Sequence, residues 1–239
     1  TSAALDITGD VDLRATVWVA SLTAAQNQTL IGTMRNGDLT GFMFHISATG
    51  SLQTFHGNGA AVLTTTCPVT LAAAGVVPGR VYEFRAAIDV NDGAGNYSVS
   101  FYLRRPGDAW TLLGVTTVAG ATTIAASGRA CYVSQQDNFS ARLLTGAVIA
   151  ASVRNGIGGS TVADFVAASC GQTGYTGSLG NVWTVTRATS GRKAVVQSPV
   201  AASARSVILH GTDDYIDVPA AAIPPSTAAS DLTYAISER

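Results

Sequence analysis

Apolar and polar residues alternate with a period of two from one end of this 239-residue chain to the other. In Leu13-Arg-Ala-Thr-Val-Trp-Val the odd positions are apolar, while the even ones carry Arg14, Thr16 and Trp18. Tyr82, Phe84, Ala86, Ile88 and Val90 alternate with Glu83, Arg85 and Asp89. Tyr97, Val99, Phe101 and Leu103 alternate with Ser98, Ser100, Tyr102 and Arg104. Such a pattern buries one face of a strand and wets the other. Gly41–Ser47 and Ser51–His56 predict a hairpin through the turn Ala48-Thr-Gly50. Further strands are expected at Thr29–Thr33, Trp110–Val115, Ala130–Ser134, Ala141–Ala150 and Val182–Arg187.

No window holds a sustained helical period, and composition agrees. The chain has one Lys (Lys193) and two Glu (Glu83, Glu238), the residues that solvate exposed helix faces. All seven prolines are expected between strands, where a sheet tolerates them. Ala72–Ala74 and Ala220–Ala222 read as loops or single helical turns. Many short strands separated by turn signals predict an all-β chain, a sandwich or a barrel.

The ends and cysteines narrow the setting. Thr1-Ser-Ala-Ala-Leu-Asp has neither a basic nor an apolar leader region, and no initiator Met, so a processed or excerpted chain is expected. The longest apolar run, Leu143–Val153, is far shorter than the ~20 residues a membrane helix needs, so no membrane insertion is expected. A net charge of −1 gives no basis for gripping nucleic acid or an acidic membrane surface. Cys67, Cys131 and Cys170 show no zinc spacing; they are read as three buried thiols, with one disulfide and a free thiol as the alternative.

The stretch from Cys170 to Gly180 is Gly-rich and reads as a loop or linker. Beyond it, Asp231-Leu-Thr-Tyr-Ala-Ile lines up with Asp12-Leu-Arg-Ala-Thr-Val at an offset of 219 residues. Gly211-Thr-Asp-Asp-Tyr-Ile-Asp-Val218 precedes that repeat, and its own counterpart would fall before Thr1. Here the chain resembles laminin-G-like, concanavalin A-like jelly-roll domains, whose opening strand has this form. Leu5–Val19, the hairpin Gly41–His56 and Ile88–Tyr102 are similar to minor tail proteins of actinobacterial phages. Ala141-Arg-Leu-Leu and Gly158–Phe165 resemble the closing part of those domains, and 39 Ala with Arg over Lys fit a GC-rich genome.

The resemblance implies an antiparallel β-sandwich with the concanavalin A-like jelly-roll topology. It divides the chain into a jelly roll at 1–168, a Gly/Ser-rich connector with one or two strands at 169–205, and the start of a second copy or a completing strand at 206–239. A first copy without its opening strand leaves an unpaired sheet edge. Ser206–Val218, or the same strand of a neighbouring chain, is the expected occupant.

Chemistry is sparse. Jelly-roll glycosidases need two adjacent carboxylates, usually Glu, and no E-x-D-x-E run exists. Asp10 and Asp12 share a strand face but read as a solvated turn pair. No G-x-S-x-G elbow occurs, and His45, out of phase with Phe44, is expected on the polar side. No enzymatic activity is expected. Asp89, Asn91 and Asp92 loosely imitate a calcium loop, although a Gly-rich hairpin loop explains them as well. No other cofactor is implied. A saccharide site would pair exposed aromatics with amide groups. Trp18, Tyr102 and Trp110 are the candidate platforms, with packing as the alternative, and Gln135 and Asn138 lie on a polar loop.

The expected function is a non-enzymatic phage virion component, a minor tail or fibre-like jelly roll on the exposed particle surface. Its expected partners are other virion proteins, further copies of itself and a host cell-surface glycan. The alternative is a carbohydrate-binding module of a bacterial secreted or surface protein.

Overall fold

A computed structural model describes residues 3–134, 142–167 and 174–184. In chain order the strands are β1 (Val11–Val19), β2 (Gln28–Gly32), β3 (Phe42–Ile46), β4 (Ser51–Gly57), β5 (Val62–Thr70) and β6 (Arg80–Asp89). They continue with β7 (Asn96–Arg104), β8 (Thr111–Ala119), β9 (Tyr132–Val133), β10 (Gly146–Asn155), β11 (Ser160–Val166), β12 (Gly174–Thr176) and β13 (Val182–Thr184). A six-stranded sheet runs β11-β10-β1-β6-β7-β8, and a five-stranded sheet runs β5-β4-β3-β2-β9. Every neighbouring pair is antiparallel. The chain is an all-β jelly-roll sandwich. Among the described residues no helix is long and apolar enough to cross a membrane.

Alternation builds the core. Leu13, Val17, Phe84, Ile88, Val99 and Phe101 point inward from the larger sheet and meet Phe42, Phe44, Ile46 and Leu52 from the smaller one, all fully buried. Each such side chain contributes roughly 1.5–3 kcal/mol by leaving water. At one open side of the sandwich, the Thr116 hydroxyl on β8 donates to the Thr66 carbonyl on β5 at 2.9 Å. Gly114 of β8 faces the Pro68 ring, where a side chain would collide.

Several local expectations need correction. Pro68 lies inside β5 rather than between strands; β5 is an edge strand, where a missing N–H costs no ladder bond. The strand expected from Ala141 begins only at Gly146. Within the Gly-rich 170–180 stretch, β12 pairs with β13 to form a hairpin. His45 does not face solvent. It is 1% exposed because β3 is covered on both faces, and its Nε2 lies 2.7 Å from Gln53 Oε1 and 3.0 Å from Asn27 Nδ2. His56 points into the sandwich, where its ring meets Tyr97 edge-to-face at 5.2 Å. Burial holds both imidazoles down to about 4.

Cys67 and Cys131 are free thiols; Cys67 is buried and Cys131 half-buried, and burial pushes the Cys131 thiol up to about 12. Cys170, Gln135, Asn138, Ser206–Val218 and the rest of 206–239 lie outside the described residues.

One close approach makes a testable point about β4. A Cβ on Gly57 would fall inside the Leu39 carbonyl and the Thr40 nitrogen, both backbone. Gly57→Ala is expected to lower stability by about 1–3 kcal/mol, read as a reduced urea midpoint at unchanged slope.

Candidate functional site

The outer face of the six-stranded sheet gathers a dense set of charged and aromatic side chains among the described residues, and strand register puts it there. One row across the sheet reads Ser152 (β10), Arg14 (β1), Arg85 (β6) and Tyr102 (β7). The next row reads Ala150, Thr16, Glu83 and Arg104. On the other side Arg154 stands directly across from Asp12. These are the wet-face positions of the alternating strands.

Asp12 is the buried centre of this face, with no exposure at all. The expectation of a solvated pair fails for it, because the arginines that cover it come from other strands as well as its own. Arg14 donates from Nε and Nη2 to the two Asp12 oxygens at 3.1 and 2.7 Å. Arg85 Nε donates to Oδ1 at 3.0 Å, and the Gly158 N–H donates to Oδ2 at 3.1 Å. Burial alone would raise the Asp12 carboxyl, but the arginine hydrogen bonds outweigh it and hold the group below the usual carboxylate range. Asp10 does different work: its Oδ1 accepts the Val90 N–H at 3.0 Å, tying β1 to the loop after β6.

Trp110, just before β8, lies under two guanidinium groups. The Arg104 carbon sits 4.3 Å from the ring centroid and that of Arg14 5.9 Å. Arg104 Nε donates to Glu83 Oε2 at 2.6 Å, so this pair is neutral and held in place. Arg85 stacks over Tyr102 at 4.7 Å. Such cation–π contacts fix planar guanidinium groups against rings. Together Arg14, Thr16, Glu83, Arg104, Trp110 and Ser152 line an open cleft of about 200 Å³. Of the expected platforms, Trp110 lines the cleft and Tyr102 lies beside it. Trp18 sits on the same sheet face, half-buried, two positions beyond Thr16 and outside the cleft. A larger hollow of about 480 Å³, lined among others by Tyr82, Arg104, Arg105, Asp108 and Leu112, shares Arg104 with the cleft but not Trp110 or Arg14.

Asp164 closes one end of the cleft. Its Oδ2 accepts from the backbone and hydroxyl of Ser178 at 2.7 and 2.5 Å, and its Oδ1 accepts from Leu179 N at 3.3 Å. Trp183 donates its indole N–H to the Asp164 carbonyl at 2.6 Å and meets Phe165 edge-to-face. The β12–β13 hairpin is thereby fastened to β11.

The loop of the calcium expectation lies elsewhere, at the β6–β7 turn. Asp89 Oδ1 accepts from Asn91 N, and Asn91 Oδ1 from Gly93 N. The Asp92 carboxylate accepts from Asn96 N, Ala94 N and Asn96 Nδ2, contacts that hold it below the usual range. Among the described residues no group of three or more His, Cys, Asp or Glu is placed to hold a metal.

Sequence reading missed the arginines as site residues. Their signal was present, since Arg14, Arg85 and Arg104 all occupy polar phases, but only register shows that these phases share one face.

No protein-family model matches the chain, and no curated protein matches it. Among solved structures it is similar to the native heptameric SAP-like pentraxin of Limulus polyphemus, with 15% identity and a TM-score of 0.43 over 64% of this chain and 66% of that one. It is also similar to domains LG4-5 of the mouse laminin α1 chain, with 16% identity and a TM-score of 0.41 over 62% and 34%. A third is the Ruminococcus gnavus IT-sialidase CBM40 bound to α2,3-sialyllactose, with 15% identity and a TM-score of 0.41 over 61% and 75%. The chain therefore spans less than two thirds of the pentraxin and about a third of the laminin fragment. These likenesses describe fold and carry no information about a ligand.

Proposed function

We propose that the jelly roll is a non-catalytic adhesion module that binds a saccharide in the cleft over Trp110. The observation that carries this reading is the half-exposed indole, framed by Arg14 and Arg104 in an open cleft. A ring with one polar edge and one apolar face suits a pyranose, which is itself apolar on its faces and hydroxylated at its rim. The carboxylates at hand are committed: Asp12 to two arginines, Glu83 to Arg104 and Asp164 to the β12–β13 turn. None is paired with a second carboxylate as glycoside hydrolysis requires.

Binding to a glycan array is expected, with affinity about tenfold weaker in Trp110→Ala at unchanged melting temperature. Unchanged array binding in that variant would sink the cleft as the site.

The virion setting is supported by the resemblance of Leu5–Val19, Gly41–His56 and Ile88–Tyr102 to phage minor tail proteins. On that reading the module is displayed on the tail surface as a homo-oligomer among other virion proteins, and its glycan belongs to a host envelope. A native mass showing one symmetric oligomer, and particle density into which this sandwich fits, would bear it out. A monomer that binds a defined glycan favours the carbohydrate-binding module of a bacterial surface or secreted protein.

A further inference from the structure

We infer that the saccharide is anionic, held through a carboxylate or sulfate by Arg14 and Arg85 with Arg154 behind them. This rests on the saccharide reading and names its ligand class.

One sheet face gathers more positive than negative charge. Arg14, Arg85, Arg104 and Arg154 stand on this face with Asp12, Glu83 and Asp164, four positive charges less three negative, a surplus of one on a chain whose net charge is −1. Glu83 is matched by Arg104, and Asp164 keeps its negative charge, since its partners on Ser178 and Leu179 are neutral donors. One arginine would suffice to balance Asp12. Like charges this close repel, so the second guanidinium on Asp12 gains less from that carboxylate than the first.

The donors that remain are placed for a ligand. Arg14 uses Nε and Nη2 on Asp12, and its Nη1 makes no hydrogen bond among the described residues. Arg85 uses only Nε, which leaves both terminal nitrogens open. Arg154 donates Nη1 to the Gly159 carbonyl at 3.2 Å, and its Nε is buried without a partner. Guanidinium groups recognise planar anions through paired N–H donors. Arg85 lies over Tyr102, and Arg14 stands 5.9 Å from the Trp110 centroid, so the open N–H groups border the ring on which the sugar would stack. The ligand that completes this arrangement is a pyranose bearing an anion at its rim.

The test is a glycan array of matched neutral, carboxylated and sulfated saccharides, followed by calorimetry on the best pair. The full chain is used, with oligoglutamate as a non-saccharide anion. The acidic member is expected to bind about tenfold more tightly than its neutral twin, a difference of about 1.4 kcal/mol. That preference should shrink as salt rises from about 0.05 to about 0.5 M. Arg85→Gln should abolish the acidic-over-neutral preference, read as the ratio of the two affinities in the same variant, and Arg85→Lys should keep part of it. If Arg85→Gln fails to fold, the salt dependence of the preference in the parent chain decides: a preference that does not shrink with salt overturns the inference. The carboxylated and sulfated arms identify which anion is taken.

Equal affinity for neutral and acidic twins overturns the inference and leaves the saccharide reading standing. Failure of every saccharide to bind overturns both. Tighter binding of oligoglutamate than of any saccharide overturns the inference in favour of an acidic peptide.

Discussion

Acidification from about pH 6.5 to about pH 4 is expected to remove about 6 kcal/mol of folding stability, through His45 and His56 alone. Both imidazoles are buried, and both are held down to about 4 from an ordinary 6.5. The unfolded chain therefore takes up two protons that the folded chain refuses. Stability from this source is complete above about pH 6.5 and is lost as pH falls toward about 4. Each histidine contributes about 3 kcal/mol across that window, and the sum rivals the ~5–15 kcal/mol of a typical domain. For His45, burial dominates and the Arg142 charge adds to it, while the Gln53 hydrogen bond partly opposes both. For His56 burial acts alone, and neither ring nitrogen has a partner among the described residues. His56→Phe keeps the ring against Tyr97 and removes the titration. Melting temperatures measured every half unit or so should show the variant losing about half the acid dependence of the parent. An unaltered slope in His56→Phe would disprove this assignment.

Asp12→Ala is the second large effect. It leaves Arg14 and Arg85 without the carboxylate they share and strips the Gly158 N–H of its acceptor. Breaking a buried ion pair by deleting one partner costs about 3–5 kcal/mol, because the remaining charges stay behind uncompensated. The double variant Asp12→Ala/Arg85→Met should recover part of that loss, since it removes one of the stranded charges. Urea denaturation of the two single variants and the double variant measures the coupling. A strictly additive result would mean that Arg85 does not depend on Asp12.

The fold was legible where one face is buried and the other is wet. β6 and β7 alternate cleanly because Tyr82, Phe84, Tyr97 and Phe101 face the core while Glu83, Arg85, Tyr102 and Arg104 face outward. β5 was not legible. Its inner face carries the buried Thr65 and Cys67 and its outer face Thr64, Pro68 and Thr70, so burial alternates where residue type does not. β3 misled for the opposite reason: both of its faces are covered, and phase then says nothing about exposure at His45. At the site, Trp110 and Tyr102 could be named from residue type and phase. Asp12 could not be recognised as buried, because Arg85 reaches it from 73 residues away and the Gly158 N–H from 146. A pairing of that kind is a property of register, which no single strand carries in its own sequence.

The hold of Asp12 on two arginines also has a thermodynamic side. Long, flexible guanidinium side chains normally lose freedom when they grip a ligand, at about 0.5–1.5 kcal/mol each. Arg14 and Arg85 have already lost theirs, clamped to one carboxylate beneath and laid against Trp110 and Tyr102 at their sides. That ordering is charged to folding rather than to association. The sheet therefore presents a preorganised surface, on which a guest meets donors that do not have to be gathered first.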